Sequence, residues 1–172
     1  AIDERLALMP LVAAAKRRGS LPIEAPARER EVQDRGVAAA AAAAQAARLP
    51  APPEDAVRAV FEALVEAAKE VQRGSRSAPA GDGSDDLDAD LRPALLRIGE
   101  RISFLLVRLP QETSAAAAFA ALGSGVRTPG VSEPALRSLA AAIAEAAKPR
   151  KEPGSAGWLP PLHVACRCRR TV

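Results

Sequence analysis

Glu4–Glu31 reads ERLALMPLVAAAKRRGSLPIEAPARERE, and the spacing of its cations decides the fold. Arg5 and Lys16 stand eleven positions apart, and Lys16 and Arg28 twelve. At about 3.6 residues per turn, eleven positions make about three whole turns, so Arg5 and Lys16 project from the same face of one helix. That helix runs from about Asp3 to Arg18 with Leu6, Met9, Val12 and Ala13 on its apolar side; Pro10 should kink it and Gly19 ends it. LPIEAP then turns the chain, and Arg28 with Glu29 opens the next helix. Cations held on a helix face at this spacing point to a binding site for a dianion.

Outward from this stretch the pattern stays helical. A second helix extends from Pro26 or Ala27 through the alanine tract 38–44 to Arg48, where Leu49-Pro50-Ala51-Pro52-Pro53 stops it; alanine has the highest helix propensity. The third, about Glu54 to Arg73, carries Val57, Val60, Phe61, Leu64, Val65, Ala68 and Val71 at helical spacing and sets Gln72 one turn beyond Ala68. Ser75 to Asp90, rich in Ser, Gly, Ala and Asp, reads as the longest loop. A fourth helix starts at Pro93, with Arg92 at its cap, and runs to about Leu109. A short fifth over 112–122 and a sixth from Ser132 to Lys148 complete an all-α, single-domain bundle of about six helices over 1–149, followed by a poorly ordered tail over 150–172.

Composition agrees and narrows the function. The 172 residues are 48% hydrophobic, yet aromatics make up only 2% and tyrosine is absent, so the core must come from closely approaching, alanine-rich helices. Basic and acidic residues nearly balance, 24 against 21, for a net charge of +3, which demands no polyanionic partner; nucleic acid is not expected, and no apolar run is long enough to cross a membrane. Arg17 and Arg18 complement a helix C-terminus. His163, Cys166 and Cys168 form H-x-x-C-x-C, which lacks the second ligand pair of a structural zinc site, and thiols two residues apart rarely meet disulfide geometry, so no metal is expected. The chain begins at Ala1, already inside an amphipathic pattern, as a processed precursor would.

RLALMPLVAAAK, LPIE, ARE, the helix F-x-x-L-V-E-A-A-K-E-V-Q and DLRPALLRIGERI follow one another in an order and spacing that resembles the all-helical chorismate mutases, especially their secreted subclass, over about residues 1–109. The resemblance implies the rearrangement of chorismate to prephenate, a pericyclic step without cofactor or covalent intermediate. Chorismate has two carboxylates and develops negative charge on its ether oxygen, so fixed cations can both orient it and stabilise the transition state. By the resemblance Arg5 and Arg92 would each grip a carboxylate, Lys16 would reach a carboxylate and the ether oxygen, and Gln72 would donate to that oxygen. Arg28 and Glu29 would hold the ring hydroxyl, with Glu29 as acceptor. Ala68 stands where relatives often carry Ser or Thr, and Ala25 where an acid often follows PIE. The resemblance further implies a periplasmic or secreted protein, with a cytoplasmic location as the alternative. It admits a homodimer, yet Arg92 arrives from later in the same chain, so the site should be complete within one protomer. Singly, Arg5, Arg28 and Arg92 read as surface or ion-pair residues, Gln72 as a solvated residue at a helix end and Glu29 as a favourable first-turn charge. The alternative functions are a noncatalytic helical interaction module and a metabolite-sensing domain without turnover.

Overall fold

The computed structural model describes residues 1–75 and 86–149, which form helices and no strand. The tail over 150–172, with His163, Cys166 and Cys168, lies outside the described residues.

The expected first helix is two: α1 (Ile2–Ala7) and α2 (Met9–Arg18). Pro10 has no N–H to return to the Leu6 carbonyl, and the helix resets just ahead of it, where the Leu8 N–H reaches the Arg5 carbonyl at 3.3 Å, a step one residue tighter than the α-helical one. The second expected helix is α3 (Pro26–Ala47), with Pro at its first position and Arg48 closing it in the left-handed conformation at φ 55°. Within the alanine tract Ala40 and Ala44 are buried, extending inward from Gly36 at a four-residue step, while Ala38, Ala41 and Ala42 face outward. At Gly36 a Cβ would lie 2.4 Å from the Phe61 ring, and the Gly36 carbonyl accepts a 3.0 Å bond from the buried Ser103 hydroxyl. A residue without a side chain is required where α3 meets its two neighbours.

Those neighbours are α4 (Glu54–Gly74) and α5 (Arg92–Val107). Helix α4 is the spine of the molecule: its Val57, Val60, Phe61, Leu64 and Val71 are almost wholly removed from water, and it packs against α2, α3 and a C-terminal helix. Full burial of side chains of this size is worth about 1.5–3 kcal/mol each. Of the expected Ser75–Asp90 loop, 76–85 lie outside the described residues; beyond them Leu87–Leu91 form a π-helical turn whose cap, Asp86, accepts from the N–H groups of Asp88 (2.7 Å) and Ala89 (2.8 Å). The turn runs directly into α5, so Arg92 is the first residue of that helix rather than its cap.

The expected helix over 112–122 is displaced to α6 (Ala115–Gly125). Glu112 is left-handed at φ 66°, which no helix start tolerates, and the Ser114 hydroxyl caps the helix by accepting from Ala117 N–H at 3.1 Å. The last helix, α7 (Glu133–Ala146), opens at Ser132 as expected and packs along α4 and α6. The segment joining α6 to α7 is fastened twice to the N-terminal half. Asp3 accepts from Arg127 N–H (2.9 Å), Thr128 N–H (2.9 Å) and the Thr128 hydroxyl (2.7 Å); Glu70 accepts from Ser132 N–H (2.9 Å) and its hydroxyl (3.0 Å). Each carboxylate lies two residues from a predicted site residue, Asp3 from Arg5 and Glu70 from Gln72.

Candidate active site

One cavity of about 660 Å³ opens among α1–α5 and the π-helical turn. Its size is that of a small-molecule site. Arg5, Lys16, Arg28 and Glu29 border it, as do Ala68, Gln72 and Arg92, so all seven predicted positions meet in a single protomer.

Arg5 is the deepest cation, 7% exposed, with one guanidinium nitrogen donating to the Leu95 carbonyl at 2.9 Å and Nε buried without a partner. Burial, and then the nearby Arg28, push its pKa down to about 10; the group remains charged at neutral pH. Lys16 sits at the end of α2 and donates from Nζ to the Ile23 carbonyl at 2.8 Å, so the LPIE turn closes over the amine it helps to aim. Its pKa is lowered, by burial first and also by Arg92 and Lys69, against the opposing pull of Glu29.

Gln72 is 5% exposed. Its Nε2 donates at 3.4 Å to the Met9 sulfur, a weak acceptor, and its Oε1 is buried without a partner. Arg5 Nε and Gln72 Oε1 are the two buried side-chain polar atoms left unpaired among the described residues, and both belong to this cavity. Leaving such an atom unpaired costs about 1–3 kcal/mol. An acceptor on a ligand in the cavity would recover that cost at Arg5 Nε.

Arg28 and Arg92 are less confined: Arg28 pairs with Glu31 and Arg92 with Asp88, each bridge partly exposed to water and therefore worth little. Either guanidinium can exchange its carboxylate for a ligand's. Glu29 is the polar counterweight. Burial alone would raise its carboxyl, but hydrogen bonds from Ala25 N–H (3.1 Å) and Lys69 Nζ (3.2 Å), with the charges of Lys69 and Lys16, hold it below the ordinary carboxylate range. Ala68 is buried on the same helix face as Gln72 and offers only its methyl.

Lys69 is the residue the sequence reading missed. It is 8% exposed, borders the cavity, and stands three positions before Gln72, the helical spacing that could have flagged it. Its ammonium lies 3.2 Å from Glu29 and 2.5 Å from Glu66. Six cationic side chains, with Arg35 the sixth, thus face two carboxylates, Glu29 and Glu100, around the cavity. Glu31, Glu66 and Asp88 pair with four of the six, leaving Arg5 and Lys16 with no carboxylate at ion-pair distance among the described residues, an arrangement that suits an anionic ligand. Apolar side chains, among them Val65, Leu87 and Leu95, cover much of the remaining wall and exclude water from the charges.

Residues 1–73 match the sequence model of the family chorismate mutase type II. The match covers the segment that carries most of the cavity's cations. In fold it is similar to the crystal structure of secreted chorismate mutase from Yersinia pestis, at a TM-score of 0.70 and 21% identity over 84% of this chain and 92% of that one. At that identity the likeness speaks to the fold alone. A comparison with curated protein sequences gave no match. The matched segment ends at the close of α4, so it includes Arg5, Lys16, Arg28, Glu29, Ala68 and Gln72; Arg92 lies beyond it on α5.

Proposed function

We propose that the cavity binds chorismate and converts it to prephenate, as an isomerase that works by electrostatic stabilisation of a pericyclic transition state. The observation that carries this reading is the convergence of Arg5, Lys16, Arg28 and Arg92 on one largely apolar cavity in which the deepest cation keeps an unpaired N–H. A dicarboxylate supplies the missing acceptor.

In this mechanism Arg5 and Arg92 each take one carboxylate, the first through the Nε that has no protein partner and the second by release from Asp88. Holding both carboxylates fixes the compact conformer in which the new C–C bond can form, so part of the barrier is met on binding. As the C–O bond lengthens, the ether oxygen gains negative charge. Lys16 and Gln72 donate to it; the Gln72 amide leaves only a thioether to do so, a small loss against the anion it gains. Both donors are in place before reaction, and preorganised donors of this kind are the largest single term in such catalysis. Arg28 and Glu29 hold the ring hydroxyl, Glu29 accepting as a carboxylate fixed by Ala25 and Lys69. Ala68 adds no polar contact.

Incubating the purified protein with chorismate and following loss of the enediene absorbance tests the reading directly. Catalysed decay with prephenate as product is expected; binding without decay would instead indicate a sensor. Arg5 and Arg92 border the same cavity of one chain, which supports a protomer-complete site whether the protein is a monomer or a homodimer. Mixing Arg5→Ala with Arg92→Ala chains should therefore restore no activity, and recovery would show a shared site. We further propose that the working domain spans residues 1–149 and that the protein acts in the periplasm or outside the cell. Recovery of the native chain in a cytoplasmic fraction alone would overturn that location.

A further inference from the structure

We propose that Lys69 is a specificity-determining residue, whose fixed ammonium against Glu29 restricts the ring-substituent subsite to a neutral hydroxyl and excludes a cationic amino group. The proposal rests on the chorismate reading and deepens it. Its observation is the sequence of contacts along one edge of the cavity: Glu66 to Lys69 at 2.5 Å, Lys69 to Glu29 at 3.2 Å, and Ala25 N–H to Glu29 at 3.1 Å.

Without Lys69, Glu29 would be a carboxylate in a cavity wall, and such a group favours a ligand ammonium over a ligand hydroxyl, since the charged hydrogen bond is the stronger. The protein avoids this by supplying the ammonium itself. Lys69 is 8% exposed, so its side chain is confined, and two carboxylates anchor its ammonium at the cavity edge. Burial would favour its neutral form, but the hydrogen bonds and charges of Glu66 and Glu29 prevail and hold its pKa above that of an ordinary lysine. The subsite is thus permanently occupied by one positive charge, with Lys16 contributing a second in range of the same carboxylate.

A hydroxyl suits these surroundings because it can give its proton to Glu29 while its oxygen accepts from a cationic donor. The ammonium has three N–H groups, and Glu29 and Glu66 engage two of them. An amino group protonated at neutral pH has no lone pair to accept with and meets like charge at close range. Selection by repulsion of the wrong ligand is a general way to make a small pocket specific. The same arrangement explains why Lys69 faces a cavity already rich in cations: it adds little to capture of a dianion but controls what Glu29 can pair with.

The test compares chorismate with its analogue bearing an amino group in place of the ring hydroxyl, using the wild-type protein and Lys69→Met, which preserves length and loses charge. Wild type should turn over chorismate and discriminate against the amino analogue. In Lys69→Met, kcat/KM for chorismate should fall while that for the analogue rises, shifting their ratio by about tenfold or more. Lys69→Arg should keep the wild-type preference. Equal loss toward both substrates in a folded Lys69→Met protein would reduce Lys69 to general attraction of the carboxylates and overturn the proposal. Wild type that accepts the two substrates equally would overturn it with no variant needed. Wild type that converts neither would instead overturn the chorismate reading itself.

Discussion

Around the cavity Arg5 Nε and Gln72 Oε1 are buried without partners and cations outnumber carboxylates, whereas at the α6–α7 segment Asp3 and Glu70 each accept from backbone and hydroxyl donors. Both regions are polar, and both touch α1 and α4. The difference is who completes the hydrogen bonding: the protein does so at the C-terminal segment, whereas at the cavity the Arg5 Nε–H is left to a ligand. Substitutions in the two places should therefore separate activity from stability. The cavity is where the fold gives up stability for function.

The largest expected effect is at Arg5. Arg5→Met removes the donor that the proposed mechanism aims at a carboxylate and should lower kcat/KM by about 10³-fold, roughly 4 kcal/mol of transition-state stabilisation. The same change replaces a buried, incompletely paired charge by an apolar chain of similar length, an exchange that is often neutral or stabilising. Thermal unfolding should then occur at the wild-type temperature or above it. A drop of several degrees would break the contrast, because it would show Arg5 to be a structural cation satisfied by Leu95.

Gln72 sharpens the contrast through pH. An amide donates at every pH, so the wild-type rate should be nearly flat between about pH 5 and 8, where Arg and Lys do not titrate from their reference values. Gln72→Glu should work in acid, while the carboxylic acid can donate, and lose activity by up to about 10²–10³-fold as the group ionises and repels the developing oxyanion. On the alkaline side, the lowered pKa of Lys16 means that the protonated donor, and the rate with it, is lost as pH rises through a value below that of ordinary lysine. A Gln72→Glu profile that overlays wild type would remove Gln72 from the reaction.

How much of this could be read in the sequence differs between the same two regions. Arg5, Lys16 and Gln72 were legible because a helix converts spacing into direction: an eleven-residue step and a four-residue step fix faces before any tertiary contact is known. Gly36 was not, since it is dictated by the Phe61 ring on another helix; for Lys69 the spacing from Gln72 gave the face, but not the pairing with Glu29 forty positions away. The break at Leu8 was foreseeable from Pro10, while its placement depended on where the backbone could recover a hydrogen bond. The shift of α6 came from a left-handed Glu112 whose N–H is held by the Ala147 carbonyl at 2.9 Å, a long-range contact that no local pattern contains.

At the C-terminal segment the expected effects are on stability. Glu70→Ala leaves the Ser132 N–H and hydroxyl without their acceptor and should cost about 1–3 kcal/mol, measured by denaturant unfolding. Per folded molecule, chorismate turnover should fall far less than in Arg5→Met. Turnover lost in parallel with Arg5→Met would mean that the Ser132 contact sets the position of Gln72 two residues on, and the two regions would then be one functional unit.

The smallest effect is at Asp3 and separates the regions by pH alone. Burial acts to raise the Asp3 carboxyl, but the Thr128 hydroxyl, the N–H groups of Thr128 and Arg127 and the chain's amino terminus outweigh it, so the folded-state pKa lies below the ordinary 3.8. A carboxyl depressed in the folded state contributes stability that is fully present above its unfolded value and is lost as pH falls through its folded value. Wild type should therefore lose this contribution only below about pH 4, in the range where Asp3 takes up its proton. Asp3→Asn keeps one acceptor oxygen but has no charge to titrate, so it should be slightly less stable than wild type at neutral pH and converge with it in acid. The two unfolding curves are best compared as a difference, because Glu29, also depressed, contributes acid sensitivity to both proteins alike. A gap of constant size from neutral pH to pH 2 would mean that the Asp3 charge contributes nothing to holding the Arg127–Thr128 backbone, leaving Thr128 and the apolar contacts of α7 to do so.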